Sequence, residues 1–195
     1  MSTTPRKTRT PRAPQLTETM INAYLGRTHK HIAEVQRMAR LMATTLRDGY
    51  DYGETAALLS DNVLKHDQSK FSADEFIPYV WLTAAYASGD RHTFNYPHGM
   101  EKRIDAAIKH HYEHNKHHPE FWGDHLAGMN MASMAEMVCD WAAMSTERNG
   151  GQYASPLPFY HKAVSNGKTS RGWRFTLKQR ERIEWLIVIL DAAHN

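Results

Sequence analysis

The sequence predicts an all-α fold. Three observations carry that expectation. Apolar residues recur at spacings of three and four along most of the chain, no stretch shows the alternation of a strand, and capping residues stand where apolar runs begin. There is no internal repeat.

The elements follow in order. Thr17 caps a first long helix that carries Ile21, Tyr24, Leu25, Ile32, Val35, Met38 and Met42 on one face and closes near Asp48-Gly49. A second helix runs from about Gly53 to Lys65 and stops at HDQSKF, residues 66–71. Ser72 and Glu75 have the Ser-x-x-Glu spacing of a capping box and open a third helix, which Pro78 kinks or restarts. Residues 88–99, SGDRHTFNYPHG, read as a loop. A fourth helix covers about Met100 to His117, and Pro119 turns the chain at His118. A fifth spans roughly Ala132 to Glu147. The Gly- and Pro-containing stretch 149–172 leaves room for a short helix, and Thr176 opens the last one. MNMASMAEM, residues 129–137, reads as core and gap filler.

Composition narrows the function classes. At 195 residues with 41% hydrophobic and 23% charged side chains, the chain suits one domain with a real core. Its longest apolar run, WLIVIL at 185–190, is too short to cross a bilayer, and the N-terminus lacks the apolar stretch of a secretion signal. The lone Cys139 excludes an internal disulfide framework and fits a reducing cytoplasm; beside Asp140 it reads as buried filler, because no base is set next to it. Of the net charge of +3, Arg6, Lys7, Arg9 and Arg12 in residues 1–16 supply four positive charges, leaving −1 on residues 17–195. The tail is expected to be disordered, able to touch nucleic acid or a membrane surface but more simply a solvated arm. A near-neutral body argues against a dedicated DNA-binding fold. The oligomeric state stays open, a homodimer included.

Chemistry-bearing residues gather at a few places. His66-Asp67 adjoin where a helix meets a turn, offering one nitrogen and one oxygen to the same cation. His31 falls on the apolar stripe of the first helix, whereas His29, about 200° away round the wheel, faces solvent. A histidine on such a stripe is either hydrogen-bonded in the core or a ligand. Asp140 stands among Met137, Val138, Trp141 and Met144, where a carboxylate is costly unless paired, and Glu136 is one turn earlier on the same side. Residues 110–118 hold five histidines, of which His110, His114 and His117 share a face of one helix, His111 points elsewhere and His118 sits at the turn. The NGKTS segment at 166–170 lacks the first glycine of a phosphate-binding loop, since Lys162 holds that place.

The order His31, His66-Asp67, Asp140 resembles the H…HD…D metal pattern of the HD superfamily of all-helical, metal-dependent phosphohydrolases. The spacings, 35 residues from His31 to His66 and 73 from Asp67 to Asp140, resemble those of its compact bacterial 5′-deoxynucleotidases. HDQSKF, NKHHPEFW and EMVCDWAAM look more closely like a phage and bacterial group of HD-like proteins in which HDxSKF, NxHHPE and EMxxDW recur, over about residues 20–190. The resemblance implies a compact HD-like bundle. In it His31, His66, Asp67 and Asp140 hold a divalent cation (Mn, Mg, Co or Ni), with His114 and His118 available for a second metal. Asn115, Glu120 and His117 fall within or beside the same motif. The deoxynucleotidases carry a glutamate three residues after the aspartate as general acid/base; here that place is Lys70, which suits phosphate binding, so Glu136 or Glu120 would handle the proton.

The implied activity is hydrolysis of a nucleotide or related small phosphate ester by a metal-activated water, with Lys70, Asn115 and His117 on the substrate. Loops 88–99 and 149–172 would wall or cover the pocket. Their aromatics Phe94, Tyr96, Tyr153, Phe159 and Tyr160 either stack on a base or pack on the bundle. A six-ligand site of His31, His66, Asp67, His114, His118 and Asp140 would instead resemble the di-iron HD oxygenases of small organic substrates. A third possibility is a non-catalytic binding protein with a structural metal.

Overall fold

The computed structural model describes residues 15–164 and 173–194. Most of the expected disordered tail (1–14) and part of the expected pocket wall (165–172) lie outside the described residues. The described residues form eight α-helices and two short 3-10 turns, with no strand among them. They are α1 (Glu18–Tyr50), α2 (Gly53–Val63), a 3-10 turn (Gln68–Phe71), α3 (Phe76–Ala87), α4 (Met100–His114), α5 (Pro119–Trp122), a second 3-10 turn (Gly123–Gly128), α6 (Met131–Arg148), α7 (Leu157–Val164) and α8 (Leu177–Ala192).

Local chemistry sets most boundaries. Thr17 accepts a hydrogen bond from the Met20 amide at 3.2 Å, and Asn130 accepts one from the Ser133 amide at 2.8 Å. Thr176 and Gln179 make a reciprocal capping box at the start of α8. Pro78 lies in the first turn of α3, where its missing N–H costs nothing, so the helix is not kinked. Two expectations need correcting. Ser72 and Glu75 do not make a capping box: α3 begins at Phe76, whose amide bonds the Ser72 carbonyl at 2.9 Å, and the Glu75 side chain turns inward. The fourth helix ends at His114 rather than His117. Asn115 is extended, and its side-chain amide donates to the His111 carbonyl at 2.7 Å, satisfying an acceptor that a continuing helix would have used.

Helix α1 is the central element and packs against α2, α3, α6 and α8. Val35, Met38, Met42 and Leu46 of α1 meet Leu59 of α2, Met134 and Val138 of α6 and Ile183, Leu186 and Leu190 of α8 in one apolar core. Burying each such side chain stabilises the fold by about 1.5–3 kcal/mol. Met129, Met134 and Met137 fill this core, as the Met-rich stretch predicts. A smaller cluster joins Trp81 and Leu82 of α3 to Met100 and Ile104 of α4. Between the two clusters, where α1, α3, α4 and α6 meet the Asp67 turn, the interior is polar.

Candidate metal centre

The centre begins with a backbone irregularity. After α2 the chain turns, and Asp67 adopts the left-handed conformation (φ 57°, ψ 16°) before the 3-10 turn. That region costs a non-glycine residue about 1–2 kcal/mol, and aspartate is among the few side chains that tolerate it. The turn is tied to α1 by the Tyr24 hydroxyl, which donates to the Lys70 carbonyl at 2.8 Å. The outcome is a carboxylate 1% exposed at the meeting point of four helices.

Two groups of ligand-type atoms surround it. On one side, His31 Nε2 from α1 lies 3.6 Å from Asp67 Oδ2 and 3.1 Å from Asp140 Oδ1 of α6, and His66 Nε2 lies 3.7 Å from Asp67 Oδ2. On the other, His111 Nε2 from α4 is 3.2 Å and His117 Nε2 is 3.6 Å from Asp67 Oδ1. His118 Nε2 faces His111 Nε2 at 3.1 Å. Asp67, His111, His117 and His118 offer ligand atoms within 4.8 Å of one another, and so do His31, His66 and Asp67. Each group could hold a metal ion, and Asp67 belongs to both, one carboxylate oxygen turned toward each.

Buried carboxylates fix the far sides of the rings. Glu136 Oε1 accepts from His66 Nδ1 at 3.0 Å and stands 3.3 Å from His117 Nδ1. Glu75, 0% exposed, accepts from His111 Nδ1 at 3.0 Å and from His110 Nδ1 at 2.8 Å. A proton held on Nδ1 leaves the Nε2 lone pair for a cation, the outer support that metal-binding histidines ordinarily have. Glu136, His66 and His117 also form a compact group in their own right. Because Glu136 meets the Nδ1 atoms while both Nε2 atoms face Asp67, we read it as this support and not as a ligand.

The electrostatics agree, with one exception at His111. Burial pushes the Asp67 carboxyl up, but Lys70, His66 and His111 outweigh it and hold the group well below the ordinary carboxylate range. Burial likewise opposes ionisation of Glu136, yet its bonds to His117 and His66 bring it down to about 2. Asp140 is lowered in the same way, against burial, chiefly by His31. Burial pulls His66 below its usual value, and burial with the neighbouring His117 and His111 depresses His118 strongly. At His111 burial is outweighed by Asp67 and Glu75, which raise it, so a cation there would have to displace its proton; His66 and His118, favoured as neutral rings beside ionised carboxylates, are what a divalent cation needs. His66 Nε2, Asp67 Oδ1 and His117 Nε2 are buried without any hydrogen-bond partner. Buried polar atoms of this kind on both sides of Asp67, where Oδ1 has only the His111 ring at 3.2 Å beside it, are costly unless something coordinates them, so the residues fit a metal.

The centre opens on one side. His31, Asp67, His111, His118 and Asp140 line a cavity of about 390 Å³ together with Lys70. The Lys70 ammonium bonds Asp67 Oδ2 at 2.5 Å and lies 5.6 Å above the Tyr79 ring. Trp141 and Phe159 form part of the wall, with ring centres 5.2 Å apart.

Of the residues predicted from sequence, His31, His66, Asp67, Asp140, Lys70, His117 and His118 come together here, and Asn115 supports them by donating to Ser69 at 2.9 Å. His29 is exposed, as its helical phase predicts. His114 does not enter: it is exposed, stacks on His110 and bonds the His110 carbonyl at 2.7 Å. His111 takes the inner position instead. Its signal lay in the stripe Met100, Ile104, Ala107, His111, whose members are all buried. Glu75 was missed too, because its spacing from Ser72 suggested a cap. Glu136 is occupied by two imidazoles and does not line the cavity, and neither does Glu120, half-buried in the first turn of α5. Among the loop aromatics only Phe159 lines the cavity. Phe94 and Tyr96 pack beside Trp81, Tyr153 bonds Asp191, and Tyr160 bonds Glu184.

No curated protein and no solved structure matches the chain. A family model does match, over residues 20–186, a span that contains every residue of both ligand groups. The chain belongs to that family, DUF5662, a family of unknown function.

Proposed function

We propose that the protein is a metal-dependent phosphohydrolase acting on a nucleotide or related small phosphate ester, the activity implied by the resemblance of its H…HD…D pattern to the HD superfamily. The supporting observation is the shared cavity: five side chains able to ligate a cation open onto the same space as the Lys70 ammonium. Divalent cations bound there (Mn, Mg, Co or Ni) would supply Lewis acidity and lower the pKa of a bound water. The chain's own residues do the rest. Glu136 and Glu75 hold the imidazoles in register. Lys70, kept at the cavity wall by Asp67 and by the Tyr79 face, offsets negative charge on a phosphate oxygen. Phe159 and Trp141 give an apolar wall against which the ester group packs.

A second reading draws on the sharing of Asp67. A carboxylate common to two histidine-rich groups also suits a pair of irons, and hence an oxygenase of a small organic substrate. Elemental analysis of the untagged full chain, followed by a phosphate-release panel of nucleotides and simple esters, separates the two. Phosphate release that depends on Mn, Mg, Co or Ni supports hydrolysis. Two irons per chain with oxygen uptake and no phosphate release would replace it.

A further inference from the structure

The cavity has a graded interior. At its floor Asp67, His111 and Asp140 have side chains 2%, 4% and 9% exposed. At its mouth the side chain of Arg27 is 51% and that of Arg91 29% exposed, and Tyr86 is 54% exposed. The helices that line it run from floor to mouth. Asp140 and Arg148 lie on α6, separated along its axis by about 12 Å at ~1.5 Å per residue. Tyr79 and Tyr86 on α3 are about 10 Å apart by the same rise.

Charge is not spread evenly along this slot. Lys70 at the floor is matched by Asp67, and Arg27 is matched by Glu147 at 2.7 Å. Arg91 and Arg148, both lining the mouth, have no such partner in the wall. Arg91 meets the neutral Tyr86 hydroxyl in the wall, and its nearest acid is Asp105 at 3.7 Å, a side chain 71% exposed and outside the cavity. No acid among the described residues pairs with Arg148. The middle of the slot is apolar and aromatic, with Leu82, Ile108, Trp141 and Phe159. Guanidinium groups at a half-enclosed mouth are suited to bind an anion with directed hydrogen bonds.

We propose that the site selects small phosphate esters bearing a second anionic group, a carboxylate or another phosphate, at the far end of an apolar or aromatic spacer. The phosphate sits at the floor, the spacer lies against Trp141 and Phe159, and Arg91 with Arg148 hold the far anion. This rests on the phosphohydrolase reading for the floor. Its test is a binding measurement, so hydrolysis and selection can fail separately.

The probes are two aryl phosphonates, which resist hydrolysis: 4-carboxyphenylphosphonate and its 4-nitro counterpart, alike in shape and differing in one charge. Each is titrated calorimetrically into the Mn-loaded full chain, parent and variants. The carboxylate ligand should bind about tenfold tighter, close to the effect of one charge-assisted hydrogen bond. The difference should shrink in Arg91→Ala and in Arg148→Ala and vanish in the double variant, with circular dichroism confirming the helices. Equal affinities in the parent, a preference that survives the double variant, or binding of neither ligand would each overturn the proposal. Selective binding without phosphate release from any ester would leave it standing and remove the hydrolase reading instead.

Discussion

The molecule has two interiors, and α1 and α6 contribute to both. Toward α2 and α8 they bury Val35, Met38, Met134 and Val138 in a core whose parts fit by shape alone. Toward the Asp67 turn they bury Glu136 and Asp140 and half-bury His31. The apolar interior stabilises the chain as soon as it closes. The polar one brings ionised carboxylates and unpartnered ring nitrogens out of water, which favours folding only when they satisfy one another or a cation. One therefore holds the bundle, and the other is held by it for a purpose.

Five substitutions test that division, in descending order of effect. Asp67→Asn should abolish metal binding at both ligand groups and all metal-dependent activity while keeping helical circular dichroism. His118→Ala should remove the metal of one group only. Elemental analysis that finds the same stoichiometry in Asp67→Asn as in the parent would break the assignment of Asp67 to both groups. Leu186→Ala, at a site 0% exposed in the apolar core, should cost about 2–5 kcal/mol in urea unfolding. The metal content of its folded fraction should be unchanged. Loss of metal in step with stability would mean that the two interiors are one cooperative unit. Glu136→Gln should weaken metal affinity by about 10–100-fold, read by chelator competition, because two rings then share a neutral amide oxygen in place of a carboxylate. Unaltered affinity would make Glu136 a mere core polar group. His114→Ala should be the smallest change, within about 0.5 kcal/mol of the parent and with full metal. A metal loss there would return the exposed face of α4 to the centre.

The sequence revealed the apolar interior more fully than the polar one. Helical spacing and the caps Thr17 and Thr176 are local signals, and they placed α1, α6 and α8 to within a few residues. His31, His66, Asp67 and Asp140 were legible as an ordered pattern, and His31 also by its place on a buried stripe. His111 and Glu75 were not, because each was read through the wrong local rule. Continuing α4 to His117 made His110, His114 and His117 a face, whereas Asn115 stops the helix and lets His117 and His118 approach from the following turn. Ser-x-x-Glu favoured a cap, whereas the pull of His110 and His111 on Glu75 is a contact over 35 and 36 positions that no local pattern encodes.

Asp67 answers two demands at once: its backbone is left-handed and its carboxylate is shared. Glycine would relieve the first and forfeit the second, glutamate would keep the charge but lengthen the reach, and asparagine would suit the turn while surrendering the anion. A library randomised at this codon would therefore divide by the screen applied to it. Selection for thermal resistance alone would enrich glycine and asparagine, and selection for retained metal would return aspartate. The residue recovered at one position would report which pressure the lineage had been under.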